Sequence, residues 1–226
     1  MKITLCLPKI LVMLVALTGL SACSSNSDQV AAYRAIVPVF QGQPKTDPAF
    51  AAAYEKSASS GSLGMIASIE SRPDLISSFF LQTRSDASGV ETWIGPGGIQ
   101  VMMNDGILVG TRGFGADVMA AEVGPSSTLI RSFGSGYVTR LMTVMDGGNH
   151  AVTRAFRCAI APGEMQPVPR GDGAIMARTV TETCRSKGIS FDNFYWVVPQ
   201  SGEIIQSSQW AGLTTDKMSF RLTPTY

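Results

Sequence analysis

The pattern of hydrophobic and polar positions changes near residue 63. Beyond that point, short runs rich in β-branched, aromatic and methionine residues recur, and Gly, Pro, Asp or Asn separates each run from the next. Short apolar runs between turn residues are typical of antiparallel strands rather than helices. We therefore expect about a dozen strands, at 65–70, 75–83, 90–94, 99–103, 107–111, 128–133, 137–145, 151–160, 175–184, 191–198, 203–209 and 218–222.

The run 137–145 shows the alternation of a strand most clearly, and neither of its faces is wholly polar. A dozen strands without intervening helices would leave two long edges exposed unless the sheet closes on itself. The predicted fold class is therefore all-β and predominantly antiparallel, a soluble barrel-like or closed sandwich domain. A transmembrane barrel is less favoured, because its strands would need about 10 residues each with regular lipid-facing alternation.

The first 47 residues are predicted to lie outside this domain. We expect a signal peptide at 1–22, a lipidated tether at 23–47 and a single β-rich domain at 48–226. The domain should begin with a short helix at 48–56, since Asp47 suits a helix cap, Pro48 suits the first helical position and alanines follow. The segment 57–61 is predicted to end that helix.

Cys23 determines how the leader is interpreted. Lys2 and Lys9 give a basic start, 10–20 is apolar but too short to cross a bilayer, and Leu20, Ser21 and Ala22 precede the cysteine. This is the arrangement of a bacterial lipoprotein signal, in which Cys23 becomes the acylated N-terminus. A chance cysteine behind an ordinary signal peptide is the alternative. Acyl chains on Cys23 would anchor the protein to a membrane without spanning it.

Two of the four cysteines remain for the exported domain. Cys6 leaves with the leader and Cys23 takes the lipid, so Cys158 and Cys184 are predicted to form a disulfide in an oxidising compartment. Free buried thiols or half of a metal site are the alternatives. A metal site is disfavoured because the chain has one histidine, His150, and no cysteines at zinc-knuckle spacing.

Charge argues against a nucleic-acid partner. Loss of Lys2 and Lys9 leaves 16 basic residues against 17 acidic ones, a net charge of −1. The arginines are scattered rather than clustered with stacking aromatics, as a nucleic-acid footprint would require. We expect no nucleic acid, no cofactor and no metal.

The sequence offers no catalytic constellation. No Gly-x-Ser-x-Gly motif occurs, and His150 follows Gly-Gly-Asn in what is interpreted as a turn. Glycine-rich pieces such as 113–115 and 171–173 lack the lysine of a phosphate-binding loop. The tripeptide 170–172, Arg-Gly-Asp, follows 167–169 in what is interpreted as an ordinary loop. Carboxylates are numerous, but sequence cannot pair two of them across a cleft.

Aromatic residues give a better indication of binding. Sugar rings stack on Trp and Tyr faces, and the candidates are Trp93, Tyr137, Tyr195, Trp196 and Trp210. The alternative role of these rings is core packing, which is what large aromatics in a barrel usually do.

Four segments carry a resemblance to a known family. The lipobox 20–23, the Glu-Thr-Trp at 91–93, and the segments 104–117 and 195–210 resemble the YjbF family, also called group 4 capsule polysaccharide lipoproteins. The resemblance covers 75 to the C-terminus and consists of structural segments rather than catalytic signatures.

The resemblance implies a lipid-anchored outer-membrane protein that faces the periplasm and assists exopolysaccharide or capsule production or export. It carries no enzymatic activity over to this chain. Polysaccharide and other export-machinery proteins are the implied partners, besides the membrane itself. A periplasmic polysaccharide-modifying hydrolase is the alternative function.

Overall fold

The structure, a computed structural model, describes residues 63–72, 76–85, 87–146, 148, 150–170 and 172–223, with single positions at 48, 52, 55, 56, 59 and 61. Cys23, the expected leader and the expected tether lie outside the described residues. The described positions at 48, 52, 55, 56 and 59 are all helical. The expected N-terminal helix is therefore confirmed at these positions, and Ser59, beyond the predicted end, is helical as well.

Twelve strands form one antiparallel sheet. In chain order they are β1 Gly64–Ile69, β2 Ile76–Arg84, β3 Val90–Ile94, β4 Gln100–Asn104, β5 Ile107–Arg112, β6 Val118–Glu122, β7 Gly136–Met145, β8 Ala151–Arg170, β9 Gly173–Ser186, β10 Ile189–Val197, β11 Ile204–Trp210 and β12 Lys217–Leu222. Within 63–223, the described part of the chain contains an α-helix, α1, at Gly124–Arg131 and a 3₁₀ turn at Pro96–Gly98.

The sheet is two meanders joined side by side. Strands β1 to β5 pair in succession, as do β6 to β12, and β1 pairs with β12 to join the two halves. The order leaves β5 and β6 at the two ends of the sheet. These two strands come together, so the sheet forms a nearly closed barrel, as the sequence predicted.

Side chains rather than a strand ladder hold the seam between β5 and β6. The amide of Val118 donates to Thr111 Oγ1 at 3.0 Å, and that hydroxyl donates to Asp117 Oδ1 at 2.7 Å. The same carboxylate accepts the backbone N–H groups of Gly113 and Phe114 at 3.1 and 3.2 Å. Thr111 therefore pairs the Val118 amide in place of a ladder bond, and Asp117 holds both Thr111 and the backbone of the β5–β6 loop.

Large apolar side chains fill the barrel. Around β1, β3 and β12 the core contains Met65, Trp93 and Phe220. On the β8 to β10 side it contains Phe156, and the rings of Phe191 and Trp210 stack with centroids 4.6 Å apart. The alternation of inward apolar residues on successive strands produces this interior.

The predicted disulfide is confirmed. Cys158 and Cys184 are joined with an S–S distance of 2.04 Å and Cα atoms 4.0 Å apart. They lie directly opposite each other on β8 and β9, and both side chains are buried in the core.

Three sequence predictions about local structure are wrong. The segment 128–133 is not a strand, because most of it belongs to α1, whose Ile130 is buried against the barrel. The strand β6 at Val118–Glu122 was missed. The segment 167–169 is not a loop but part of β8, which continues to Arg170.

Each error has a physical reason. Thr, Leu and Ile at 128–130 suit a strand, yet Pro125 occupies the first turn of a helix, where proline is favoured. In β6 three of five residues are exposed, so no apolar alternation marks it. Of the β8 prolines, Pro162 lies at an irregularity in the pairing with β9, and Pro167 and Pro169 lie beyond it on the distal part of the long hairpin, where proline is tolerated. Among the described residues, helices fall short of the length and apolarity needed to cross a membrane.

Candidate functional site

A cavity of about 180 Å³ opens at one mouth of the barrel. Strands β1, β3, β4, β11 and β12 form its walls, and the turns before β5 and β11 form part of its rim. Its deeper lining is apolar, contributed by Leu63, Met65, Trp93, Met103, Phe220 and Leu222. A concave apolar space with a few polar groups is the usual form of a small-molecule site.

Charged residues surround the entrance. Arg131 at the end of α1 forms an ion pair with Asp105 at 2.8 Å and donates from Nε to the carbonyl oxygen of Gly202 at 3.1 Å. Arg84 and Glu91 form a second ion pair at the rim. Glu203 is exposed, and its carboxylate has no partner among the residues that the structure describes.

Arg131 fixes the geometry of this rim. Its two contacts tie the β4–β5 turn, which holds Asp105, to the β10–β11 turn, which holds Gly202. Asp105 is also held by Ser127 of α1, whose hydroxyl donates to Oδ2 at 3.2 Å. The entrance is therefore supported by one helix and two turns.

Gly106 allows the two turns to approach each other. Its φ is +80°, and a Cβ at this position would lie 2.8 Å from Cβ of Ile204. Both the left-handed conformation and the close contact require glycine. Replacement would push the β4–β5 turn away from β11 and distort the rim.

Trp93, one of the residues that line the cavity, carries an unpaired donor. The residue is 1% exposed, and its indole Nε1 has no hydrogen-bond partner among the described residues. A buried donor without a partner costs about 1–3 kcal/mol, so such groups are rare unless something else satisfies them. The cavity lining also includes two other buried polar residues, Gln206 and Ser207.

A second polar feature, the Glu182 network, lies inside the barrel beneath α1. Oε2 of Glu182 accepts from Arg140 Nη1 at 2.9 Å and from Asn193 Nδ2 at 2.8 Å. It also accepts from the hydroxyl of Tyr195 at 2.9 Å. Oε1 accepts from Ser126 of α1 at 2.7 Å. One carboxylate therefore links β7, β9, β10 and the helix.

Electrostatics favour the protonated forms of Arg140 and Tyr195. Burial would lower the pKa of Arg140, but the neighbouring Glu182 and Tyr195 outweigh it and the pKa of Arg140 is raised. Burial, reinforced by the charge of Glu182, raises the pKa of Tyr195 well above its ordinary value. Glu182 itself has no exposed surface. A substrate cannot reach it, so we assign the network to structure rather than to catalysis.

The disulfide lies next to this network. The sulfur atoms of Cys158 and Cys184 and a carboxylate oxygen of Glu182 all lie within 4.8 Å of one another. Because the sulfur atoms are bonded to each other, the group presents no thiolate to a metal ion.

The structure separates the four aromatic residues that the sequence singles out. Trp93 lies in the wall of the mouth cavity, and Tyr195 belongs to the Glu182 network. Trp210 stacks on Phe191 in the core. Trp196 faces outward, packs under the β8–β9 hairpin and donates from Nε1 to Gln166 at 3.0 Å.

All four rings are buried. At these positions none of the four rings presents a free face on which a surface glycan could stack. Tyr137, by contrast, is 69% exposed on the outside of β7, where the guanidinium of Arg157 lies 4.3 Å above its ring.

Sequence reasoning missed the charged rim of the cavity. In the sequence, Asp105 is one of many carboxylates and Arg131 is one of the scattered arginines. An Asn-Asp-Gly turn before a strand was the available signal, since it marks a tight hairpin. Which arginine meets that turn depends on where α1 packs, and the sequence predicted a strand there.

Comparisons with known proteins agree with this architecture. Residues 62–222 match a family model described as group 4 capsule polysaccharide lipoprotein gfcB, YjbF. The crystal structure of the hypothetical lipoprotein YmcC from Escherichia coli (K12) superposes with a TM-score of 0.63 at 13% identity, covering 87% of this chain and 96% of that one. This second likeness concerns the fold alone. No curated protein matches the chain. The family match extends over most of the chain, and the chain belongs to the YjbF family of group 4 capsule polysaccharide lipoproteins.

Proposed function

We propose that this protein is an outer-membrane lipoprotein that assists the production or export of a capsular or extracellular polysaccharide by binding, without a reaction of its own. The observation that carries the proposal is the family match over residues 62–222. The lipobox ending at Cys23 supplies the anchor, and the domain then faces the periplasm.

The position of the mouth cavity supports a binding role. Three of the segments that carry the family resemblance contribute to its wall: Glu91 and Trp93 come from the first, Asp105 and Gly106 from the second, and Glu203 with its neighbours from the third. These segments are far apart in the chain and meet at one end of the barrel. The partner of the cavity is then the polysaccharide, and export proteins contact the domain elsewhere.

The internal carboxylate is not available for glycoside hydrolysis. Glycoside hydrolysis needs two carboxyl groups placed across a substrate. Glu182, the buried carboxylate of the barrel interior, is enclosed by hydrogen-bond donors and has no exposed surface. It is therefore used to hold strands together.

Deletion of the gene tests this function. Loss of the protein should lower the amount of polysaccharide on cells and in the medium, and the wild-type gene should restore it. Cys23→Ala should fail to restore it, because the unanchored chain leaves the membrane. Cys6→Ala is the matched control, since Cys6 lies within the expected leader, and it should behave as wild type. Unchanged polysaccharide after deletion would refute the proposal, and release of saccharide fragments by the purified protein would refute its non-enzymatic part.

A further inference from the structure

The outer face of β7, β8 and β9 carries an exposed aromatic ring. Tyr137 of β7 is 69% exposed, and it lies opposite Ala159 of β8, whose small side chain does not cover it. The guanidinium of Arg157 lies 4.3 Å from the ring centroid and covers one face of the ring. At this exposure the other face is open to solvent. An open tyrosine ring is a surface on which a sugar ring can stack.

Two arginines lie directly opposite each other on the same outer face. Arg157 of β8 pairs with Arg185 of β9, and both side chains are exposed. Like charges at directly opposite positions destabilise a sheet. Among the residues that the structure describes, neither arginine forms an ion pair with a carboxylate, and Asp192, on this face opposite Thr183, pairs with neither. The arginine pair is therefore open to an anionic partner from outside the domain.

The disulfide holds the two arginines in register. Cys158 and Cys184 are the next residues along β8 and β9, and they also lie directly opposite each other. The cysteine side chains are buried in the core, so the arginine side chains point outward, because successive residues of a strand point to opposite faces. Repulsion between the two guanidinium groups therefore acts on strands that a covalent bond joins at the adjacent position.

Together these groups match the chemistry of an acidic sugar chain. Arg157 is a diagonal neighbour of Tyr137, and such neighbours have Cα atoms about 7–8 Å apart. One short segment of polymer can therefore reach both the ring and the arginine pair. Guanidinium groups bind carboxylates through paired, charge-assisted hydrogen bonds. Thr139 and Thr183 lie on the same face and offer hydroxyl groups, which suit a glycan better than the hydrocarbon of a bilayer.

We propose that this outer face binds a stretch of acidic polysaccharide, with one sugar ring stacked on Tyr137 and a carboxylate of a neighbouring unit bound between Arg157 and Arg185. This inference depends on the proposed function, since it names the class of polysaccharide that the protein contacts. None of these three residues lines the mouth cavity, so the outer face is a separate contact.

Polysaccharide with and without its carboxyl groups provides the test. The polymer is purified from the medium of producing cells, and in one portion the carboxyl groups are chemically reduced to alcohols. Oligogalacturonate and its methyl ester are the defined probes. Titration calorimetry on the chain from Ser24 onward measures the affinity. The two acidic ligands should bind, more weakly as salt is raised, and the two uncharged forms should bind at least roughly tenfold more weakly. Sodium acetate and phosphatidylglycerol vesicles should not compete.

Substitutions on this face separate binding from folding. Arg185→Gln should lower the affinity for the acidic ligands by roughly tenfold, the factor expected for one charge-assisted hydrogen bond. It also removes a like-charge pair, so it should not lower the midpoint of urea unfolding. Arg112→Gln, at an exposed position of β5, is the matched control and should bind as wild type. Tyr137→Ala should weaken binding, whereas Tyr137→Phe keeps the ring and should not.

The outcomes distinguish this inference from the function on which it depends. If the reduced polysaccharide binds as tightly as the intact one, or if Arg185→Gln and Tyr137→Ala bind as wild type, the inference is overturned. Competition by phosphatidylglycerol vesicles would assign the face to a membrane and would also overturn it. If deletion lowers polysaccharide output but genes with Arg185→Gln and Tyr137→Ala restore it fully, the inference fails and the function stands. If deletion leaves output unchanged, the function fails.

Discussion

Removing the charge of Glu182 should strongly destabilise the barrel. Glu182→Gln keeps the shape of the side chain but leaves Arg140, which is 1% exposed, without an anionic partner. Of the contacts of Arg140, the carbonyl oxygen of Leu108 at 2.8 Å would remain. Breaking a buried ion pair from one side costs about 3–5 kcal/mol, a large share of the roughly 5–15 kcal/mol that stabilises a domain.

The reverse substitution should cost less. In Arg140→Met the carboxylate of Glu182 keeps three neutral donors, from Ser126, Asn193 and Tyr195. We expect a loss of about 1–3 kcal/mol, typical of a charged group that loses one of several hydrogen bonds. The double variant carries no stranded charge and should be more stable than Glu182→Gln alone.

Urea unfolding of the chain from Ser24 onward measures these differences. The midpoint should fall with an unchanged slope, since the surface exposed on unfolding is the same. Arg185→Met, at an exposed position on the same strand as Glu182, is the control and should change stability by less than about 0.5 kcal/mol. A loss below about 1 kcal/mol for Glu182→Gln, or a double variant that is less stable than both singles, would refute this account of the network.

Three further predictions concern the disulfide, the seam and pH. Replacing both Cys158 and Cys184 with Ala should lower the free energy of unfolding by about 3 kcal/mol, because the bridge closes a loop with a sequence separation of 26. Reductant should lower the melting temperature of the wild type but not that of the double variant. Equal melting of the wild type with and without reductant would contradict this prediction. Asp117→Ala should speed amide hydrogen exchange in β5 and β6 and lower the free energy of unfolding by about 1–3 kcal/mol, since three donors lose their acceptor. The control Asp172→Ala, at an exposed position, should change neither the exchange nor the stability. The raised pKa of Tyr195 means that the folded state retains a proton which the unfolded state releases above pH ~10, so this contribution to stability is present below that pH and is lost as pH rises further. Ultraviolet titration should show that one of the five tyrosines ionises only on unfolding, and ionisation of all five in the folded protein would oppose this.

The strand pattern was predictable from local chemistry, because most strands alternate inward and outward residues and end at glycine, asparagine or proline. Helix α1 was not predictable in this way, since Leu129 and Ile130 also suit a strand. Its helical conformation depends on the tertiary contacts that it makes with the barrel. Its Ser126 reaches Glu182, a contact 56 residues away that local sequence does not reveal. The disulfide was predictable because two cysteines remain once Cys6 is assigned to the leader and Cys23 to the lipid anchor.

The candidate site was less predictable than the fold. Sequence identifies Trp93 as a large aromatic residue, but it does not tell a ring in a cavity wall from one in the core, such as Trp210. The pairing of Asp105 with Arg131 requires that α1 and two turns meet at one end of the barrel. Such contacts depend on closure of the sheet, which is a global property.

The lipid on Cys23 is the claim on which the location and the family role both depend, and mass spectrometry of the membrane-extracted protein tests it most directly. The account predicts an N-terminal peptide that begins at Cys23 and carries acyl chains, in protein that fractionates with the outer membrane. An unacylated N-terminus, or a chain that still contains residues 1–22, would contradict it.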